Sequence, residues 1–180
     1  EIILPSIAKK AGFNLTTSGV SVINVGSTAF LRYAKIFQRN SDPEIDTPVS
    51  IITDLDVKPE EANTKDDSSD MTKAEIQKKN KEESYNGQGI KTFVSPSWTL
   101  EYCIYMSSCL STAFQETVKQ VHSRTDWDSD FEKTLKDKLA DKSLNKTEIA
   151  YRLAEKIEND MKLEAPTLIM NPDDETDDIN

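Results

Sequence analysis

Val49-Ser50-Ile51-Ile52-Thr53-Asp54-Leu55-Asp56 is a short apolar, β-branched run that breaks into two aspartates one residue apart. A run with no polar alternation is the pattern of a parallel strand covered on both faces. In open α/β sheets, ligands gather outside the carboxyl ends of the strands, so Asp54 and Asp56 are expected at that edge. Residues i and i+2 of an extended chain point the same way, and both carboxylates can face one site. Two hard oxygen ligands with nothing basic between them suit Mg²⁺ or Mn²⁺. An aspartate at a strand end also starts a turn with no ligand at all, and that reading stands beside the first.

Outward from this strand the chain alternates. Upstream, residues 1–12 fit a helix that ends at Gly12, with Pro5 tolerated in its first turn. Residues 21–25 (SVINV) form the pattern of a short strand, and Gly26-Ser27-Thr28 that of a tight strand-to-helix turn. Residues 28–39 are an amphipathic helix with Phe30, Tyr33, Ala34 and Phe37 on one face. A polar loop, 41–48, leads into the organising strand. The order α-β-α-β with short connections implies parallel pairing with right-handed crossovers.

Downstream, residues 57–89 depart from that rhythm. They are rich in Lys, Glu, Asp, Asn and Ser. Residues 71–85 fit a solvated helix, and the rest has the composition of a mobile segment. At the carboxyl edge of a sheet it is placed as a lid or arm, or is a plain solvated insertion. Residues 90–94 (IKTFV) are the next strand. Ser95 as N-cap and Pro96 at the first position then start an apolar helix that runs to about His122. Helices follow at 126–140 and 145–163, the latter with Ile149, Leu153, Ala154 and Ile157 on one face. Residues 164–180 are an acidic tail or linker. The fold class expected is α/β, a small parallel sheet flanked by helices with a helical C-terminal part.

A chain of 180 residues is one domain with room for a small appendage. It is 36% apolar and 30% charged, and the polar excess collects in 56–89 and in the last fifteen residues. The net charge of −10 argues against nucleic-acid binding, which normally uses a basic surface. Bound metal ions would reverse the local sign, and another domain or subunit could supply basic surface. The two cysteines, Cys103 and Cys109, fit no zinc or CxxC spacing. They are expected as reduced core thiols, which favours a cytoplasmic protein. No run has the length of a membrane span and no signal peptide is visible. The helical pattern is already running at Glu1, so the chain is expected to be a piece of a longer protein.

Glu101 falls in the first turns of the helix after the 90–94 strand, where the helix N-terminus stabilises a carboxylate without any metal. Two neighbouring strands delivering carboxylates to one edge are what makes Glu101 a candidate ligand. Lys146 opens the last clear helix, where a cation is mildly unfavourable. It is either a surface lysine or a stabiliser of phosphate charge. His122, the only histidine, has no nucleophile elbow near it and is given a structural or surface role. No phosphate loop is present, so the chain by itself is not expected to hydrolyse ATP.

In that order, SVINVGSTAFLRYAKIFQR (21–39), VSIITDLDVKP (49–59), KTFVSPSWTLEYCIYMS (91–107) and NKTEIAYRLAEKIE (145–158) resemble the Toprim domain of the OLD (overcoming lysogenisation defect) family. Its members are ATP-dependent DNA endonucleases, and the nuclease of the Gabija phage-defence system is related. The resemblance implies a metal site in which Asp54 and Asp56 match the family's DxD, and Glu101, with Ser95 beside it, a further acidic position. Lys146 matches a catalytic lysine that would stabilise charge during phosphodiester cleavage. It implies two Mg²⁺ or Mn²⁺ ions, DNA as substrate, and ATP acting only through an ATPase domain elsewhere in the full-length protein. A homodimer or higher oligomer and an antiviral or DNA-processing role follow by the same route. The family's first strand, with its Glu-Gly turn, should lie immediately before Glu1, leaving Glu1 as the family's second glutamate or its neighbour.

Two other readings remain open. An apolar strand followed by Asp54-Leu55-Asp56 is similar to the opening motif of haloacid-dehalogenase-like phosphohydrolases, with Asp54 as nucleophile and Ser95 and Lys146 as partners. That motif normally sits on the first strand and prefers Thr near Lys58. The other is a non-catalytic Toprim module that binds partners only. The nuclease requires Glu101 and the phosphohydrolase does not.

Overall fold

The computed structural model describes residues 1–26, 30–38, 42, 47–65 and 69–160. Its elements are α1 (Ile3–Lys10), α2 (Phe30–Phe37), β1 (Val49–Thr53), α3 (Pro59–Ala62), α4 (Lys73–Tyr85), β2 (Ile90–Val94), α5 (Leu100–Met106), α6 (Ser111–Val121), α7 (Phe131–Ala140) and α8 (Lys146–Asp160). The fold is mixed α/β, with a small parallel sheet and helices around it. The chain divides into two compact units, one made of Glu1–Val22 and Val121–Asn180, the other of Ile23–Gln120. The turn at Ser27-Thr28, most of the 41–48 loop and the tail at 164–180 lie outside the described residues.

The second unit is built on β1 and β2, which pair in parallel with Ile51 opposite Thr92 and Ile52 opposite Phe93. Both strands stand where their sequence pattern puts them. Ile51 and Ile90 are buried with Ala34 of α2, and Phe37, Val49 and Tyr85 pack against them. The expectation that both faces are covered does not hold. Successive side chains alternate across a strand, and Ile52 (50% exposed) and Phe93 (47%) stand on the open face. Lys91 lies on that same face with its ammonium 5.5 Å from the Phe93 ring centre. Tyr33, expected on the packed side of α2, is also exposed.

No strand forms at 21–25. Residues of high β propensity make a strand only where a neighbour supplies a ladder. Among the described residues the ladder consists of β1 and β2 alone, and Ile23 is 74% exposed.

The described residues of the polar insertion are more ordered than their composition implies. They hold α3, an isolated antiparallel bridge between Lys65 and Thr72, and α4. A capping box starts α4: the Thr72 hydroxyl accepts from the Glu75 amide while the Glu75 carboxylate accepts from the Thr72 amide. α4 buries none of its residues fully. The turn into β2 keeps Gly89 at φ +77°, a left-handed conformation that suits glycine.

After β2 the expected helix start moves. Ser95 is not an N-cap; α5 begins at Leu100, capped by the Thr99 hydroxyl, which accepts from the Tyr102 amide. The expected single helix to His122 breaks as well. Ser107 leaves the helical region at ψ 131°, and its hydroxyl accepts from the Leu110 amide, a local bond that competes with helix continuation. α6 then buries Ala113, Phe114, Thr117 and Val118. Cys103 is half-buried, but Cys109, in the break, is exposed rather than a core thiol; both are free.

The first unit packs α1 against α8. α1 ends in a Schellman motif: the Phe13 amide donates to Ala8 and the Gly12 amide to Lys9, with Gly12 at φ +92°. Ser6 Oγ donates to Glu158 at 2.8 Å, and this bond, with Lys9 beside it, holds the Glu158 carboxyl below its usual range. Ile149, Leu153, Ala154 and Ile157 are all buried on α8, the face its periodicity marks. α7 starts at Asp130, whose carboxylate accepts from the Lys133 amide, rather than at Asp126.

Candidate functional site

Hydrogen bonds tie the end of β1 to the segment after β2. The Ser95 amide donates to Thr53 O at 2.9 Å, extending the parallel ladder past the strands. The Leu55 amide donates to Ser95 Oγ at 2.9 Å, and that hydroxyl donates onward to Ser97 O at 2.9 Å. The Asp56 amide donates to Trp98 O at 2.9 Å. The Leu100 amide, first in α5, donates to Asp54 Oδ1 at 2.8 Å. Leu55 and Trp98 are buried and anchor the loop from below. Asp54 is therefore held by the start of α5, and Ser95 acts as a clasp between the two loops.

Asp56 sits at φ +61°. Aspartate tolerates this left-handed conformation better than most residues. Such strain collects where a side chain must be aimed, and here the surrounding hydrogen bonds enforce it. The Asp56 carboxylate points to Lys81 of α4. Lys81 Nζ donates to Asp56 Oδ2 at 2.5 Å and to the carbonyl oxygen of Asp54 at 2.6 Å. Its side chain is only 14% exposed. Two oxygens from the DxD loop thus converge on one cationic group.

Glu101 lies in the first turn of α5, one residue beyond the amide that binds Asp54. Cys103, on the next turn, reports the local field. Burial is the main cause that pushes its thiol pKa up, and the charges of Asp54 and Glu101 push the same way, against hydrogen bonds to Ser97 and Ser95. Asp54, Asp56, Ser95 and Glu101 all belong to the second unit. Lys146 is the first residue of α8, in the first unit, where its amide donates to Leu144 O at 2.8 Å. Glu1 is exposed and also in the first unit. His122 is structural: Nε2 accepts from the Asn145 amide at 3.1 Å, and its carbonyl accepts from Trp127 Nε1. Among the described residues, no three His, Cys, Asp or Glu side chains are gathered closely enough to hold a metal ion.

Lys81 is the residue the sequence did not single out. Nothing in its local sequence separates it from Lys78 and Lys79. The one signal is its spacing from Tyr85: residues i and i+4 share a helix face, and Tyr85 packs on the sheet core.

Residues 1–56 match the family model "Overcoming lysogenization defect protein-like, TOPRIM domain". This is the family that the motifs resemble. The matched stretch ends on Asp56, so it takes in both aspartates of the DxD loop and stops short of Ser95, Glu101 and Lys146. No curated protein and no solved structure matches the chain. Toprim domains are commonly nucleolytic and generally bind divalent metals. The donor chemistry of the Asp54–Asp56 loop fits such an ion: its ligands are hard oxygens, and an Asp54 carbonyl and an Asp56 carboxylate already meet around the Lys81 ammonium.

Proposed function

We propose that this chain is the Toprim nuclease part of an OLD-family DNA endonuclease, hydrolysing phosphodiesters with Mg²⁺ or Mn²⁺. The observation that carries the reading is the convergence of Asp54 and Asp56 oxygens on one cation at the carboxyl end of β1, where the family match ends. Asp54 and Asp56 would hold the ion; Glu101 would join them as a further carboxylate only on rearrangement, since no three such side chains are gathered among the described residues. A bound divalent ion, or a pair, supplies an acidified water and neutralises charge on the leaving oxygen. The protein's own part is positioning. The Leu100 amide orients Asp54, the Trp98 carbonyl fixes the Asp56 backbone, and Ser95 holds Leu55 so that the two aspartates keep their spacing. Lys146 takes the role of stabilising phosphate charge. DNA is the substrate, and ATP acts through an ATPase domain of the same full-length protein. The protein works in the cytoplasm as a dimer or larger oligomer, in phage defence or DNA processing.

The test is nicking of supercoiled plasmid by the full-length protein in Mg²⁺ or Mn²⁺, beside Asp54→Asn. Asparagine keeps an oxygen for the Leu100 amide and removes the charge. Metal-dependent nicking lost in the variant is the expected result. No nicking, but hydrolysis of a small phosphate ester, would replace the nuclease with a phosphohydrolase using Asp54 as nucleophile.

A further inference from the structure

Lys81, carried on α4 in the insertion, sets its ammonium against the DxD loop. Its ammonium touches the two oxygens, Asp54 O and Asp56 Oδ2, that are aimed at a common point. Three features make this more than a surface ion pair. The Lys81 side chain is mostly covered while its partner Asp56 is about half exposed. Its carrier α4 is fixed at both ends. Lys73 pairs with Glu61 at 2.8 Å near the N-terminus. At the other end Tyr85 O accepts from Gln38 Nε2, and Asn86 Oδ1 accepts from the Thr92 amide at 2.7 Å. Between those ends, α4 buries no residue fully, so little apolar area opposes a local shift of its middle turns.

We propose that Lys81 is a tethered competitor of the divalent ion, a built-in plug on the DxD loop that must withdraw before a metal is held there. The proposal rests on the metal-site reading above and adds its regulation. An ammonium and a hard divalent ion both seek oxygen ligands, and two cations cannot share the same pair of oxygens at contact distance without strong repulsion. The tether makes the ammonium's local concentration high and constant. Metal affinity is then reduced by the fraction of molecules in which Lys81 is withdrawn. When the ion enters, Lys81 is released beside the site while α4 stays anchored at Tyr85 and Asn86. α4 is thereby a lid that senses metal occupancy.

Calorimetric titration of Mn²⁺ into the full-length protein tests this with wild type, Lys81→Met and Lys81→Arg. Methionine keeps the length and apolar stem of the side chain and removes its charge. Lys81→Met is expected to bind Mn²⁺ about two- to fivefold more tightly, the equilibrium worth of one partly exposed ion pair, and Lys81→Arg to stay near wild type. Unchanged or weaker binding by Lys81→Met, with wild type still binding, would overturn the plug, leave the metal site standing and make Lys81 a brace for α4. No binding by any of the three would overturn the plug and the metal site together. Amine acetylation followed by mass spectrometry gives a readout that needs no variant. Saturating Mn²⁺ is expected to raise labelling of Lys81 while the exposed Lys79 is unchanged. Equal labelling of Lys81 with and without Mn²⁺ would contradict the proposal.

Discussion

Thr92 buries its hydroxyl on the core face of β2, opposite Ile51, and that oxygen has no hydrogen-bond partner among the described residues. A buried, unsatisfied hydroxyl costs about 1–3 kcal/mol, and valine has the same outline without it. Thr92→Val is expected to raise stability by roughly 1 kcal/mol, seen as a higher urea midpoint; a lower midpoint would mean that the hydroxyl has a partner. His122 makes a second residue-scale prediction. Burial, with the positive charge of Lys138, holds its pKa below the ordinary 6.5, and the neutral ring is the form that accepts from Asn145. The unfolded chain therefore takes up the proton first. The His122 contribution is complete above pH 6.5 and is lost as pH falls from there through the folded pKa. Glu61, Glu75 and Glu158, with pKa values held below 4.5, withdraw their contributions only at lower pH. Thermal melts between about pH 7.5 and 5.5 are expected to decline in wild type and to flatten in His122→Gln; parallel declines would remove His122 as the cause. At this scale the strand end at Asp54 was legible because a β-branched run breaks there into polar residues. Lys81 was not, because its meaning comes from a contact across the insertion and not from its neighbours in sequence.

α8 and α4 show the two extremes of what an element's pattern conveys. The apolar stripe Ile149, Leu153, Ala154, Ile157 is regular, and all four residues are buried. Leu153→Ala is expected to cost about 2–5 kcal/mol in a denaturant melt; a loss under 1 kcal/mol would contradict a packed α8 face. α4 has no such stripe and is held by its capping box, by i,i+4 pairs such as Lys79–Glu83 and by its ends. Its amides are expected to exchange hydrogen faster than those of α8, measured by mass spectrometry on the intact protein, since opening exposes little new apolar surface. Equal protection would mean that the insertion is as firmly packed as the core. The misread elements have physical reasons too. A strand at 21–25 requires a ladder that propensity cannot provide. The Ser95 start failed because its hydroxyl is spent on the Leu55 amide, so capping passes to Thr99. The long apolar helix broke because Ser107 bonds locally. In the last two cases a side-chain hydrogen bond overrode a local preference.

Across the whole molecule, the parallel pairing of β1 with β2 could be expected from strands that alternate with helices, although the pair joins Val49 to Ile90 across the insertion. The division into two units could not, because it joins Glu1–Val22 with residues beyond Val121. The net charge of −10 bears on function at this scale. On the nuclease reading proposed above, the average surface of this chain would repel DNA, and affinity would have to draw on bound cations at the DxD loop and on basic surface from outside this chain. The nuclease proposal stands on a divalent-metal site at the carboxyl end of β1. Anomalous diffraction from crystals of the protein saturated with Mn²⁺ locates the ion. Mn²⁺ is expected between the Asp54 and Asp56 oxygens, with the Lys81 ammonium displaced from them. Mn²⁺ held elsewhere, with Lys81 still seated on Asp56, would contradict it.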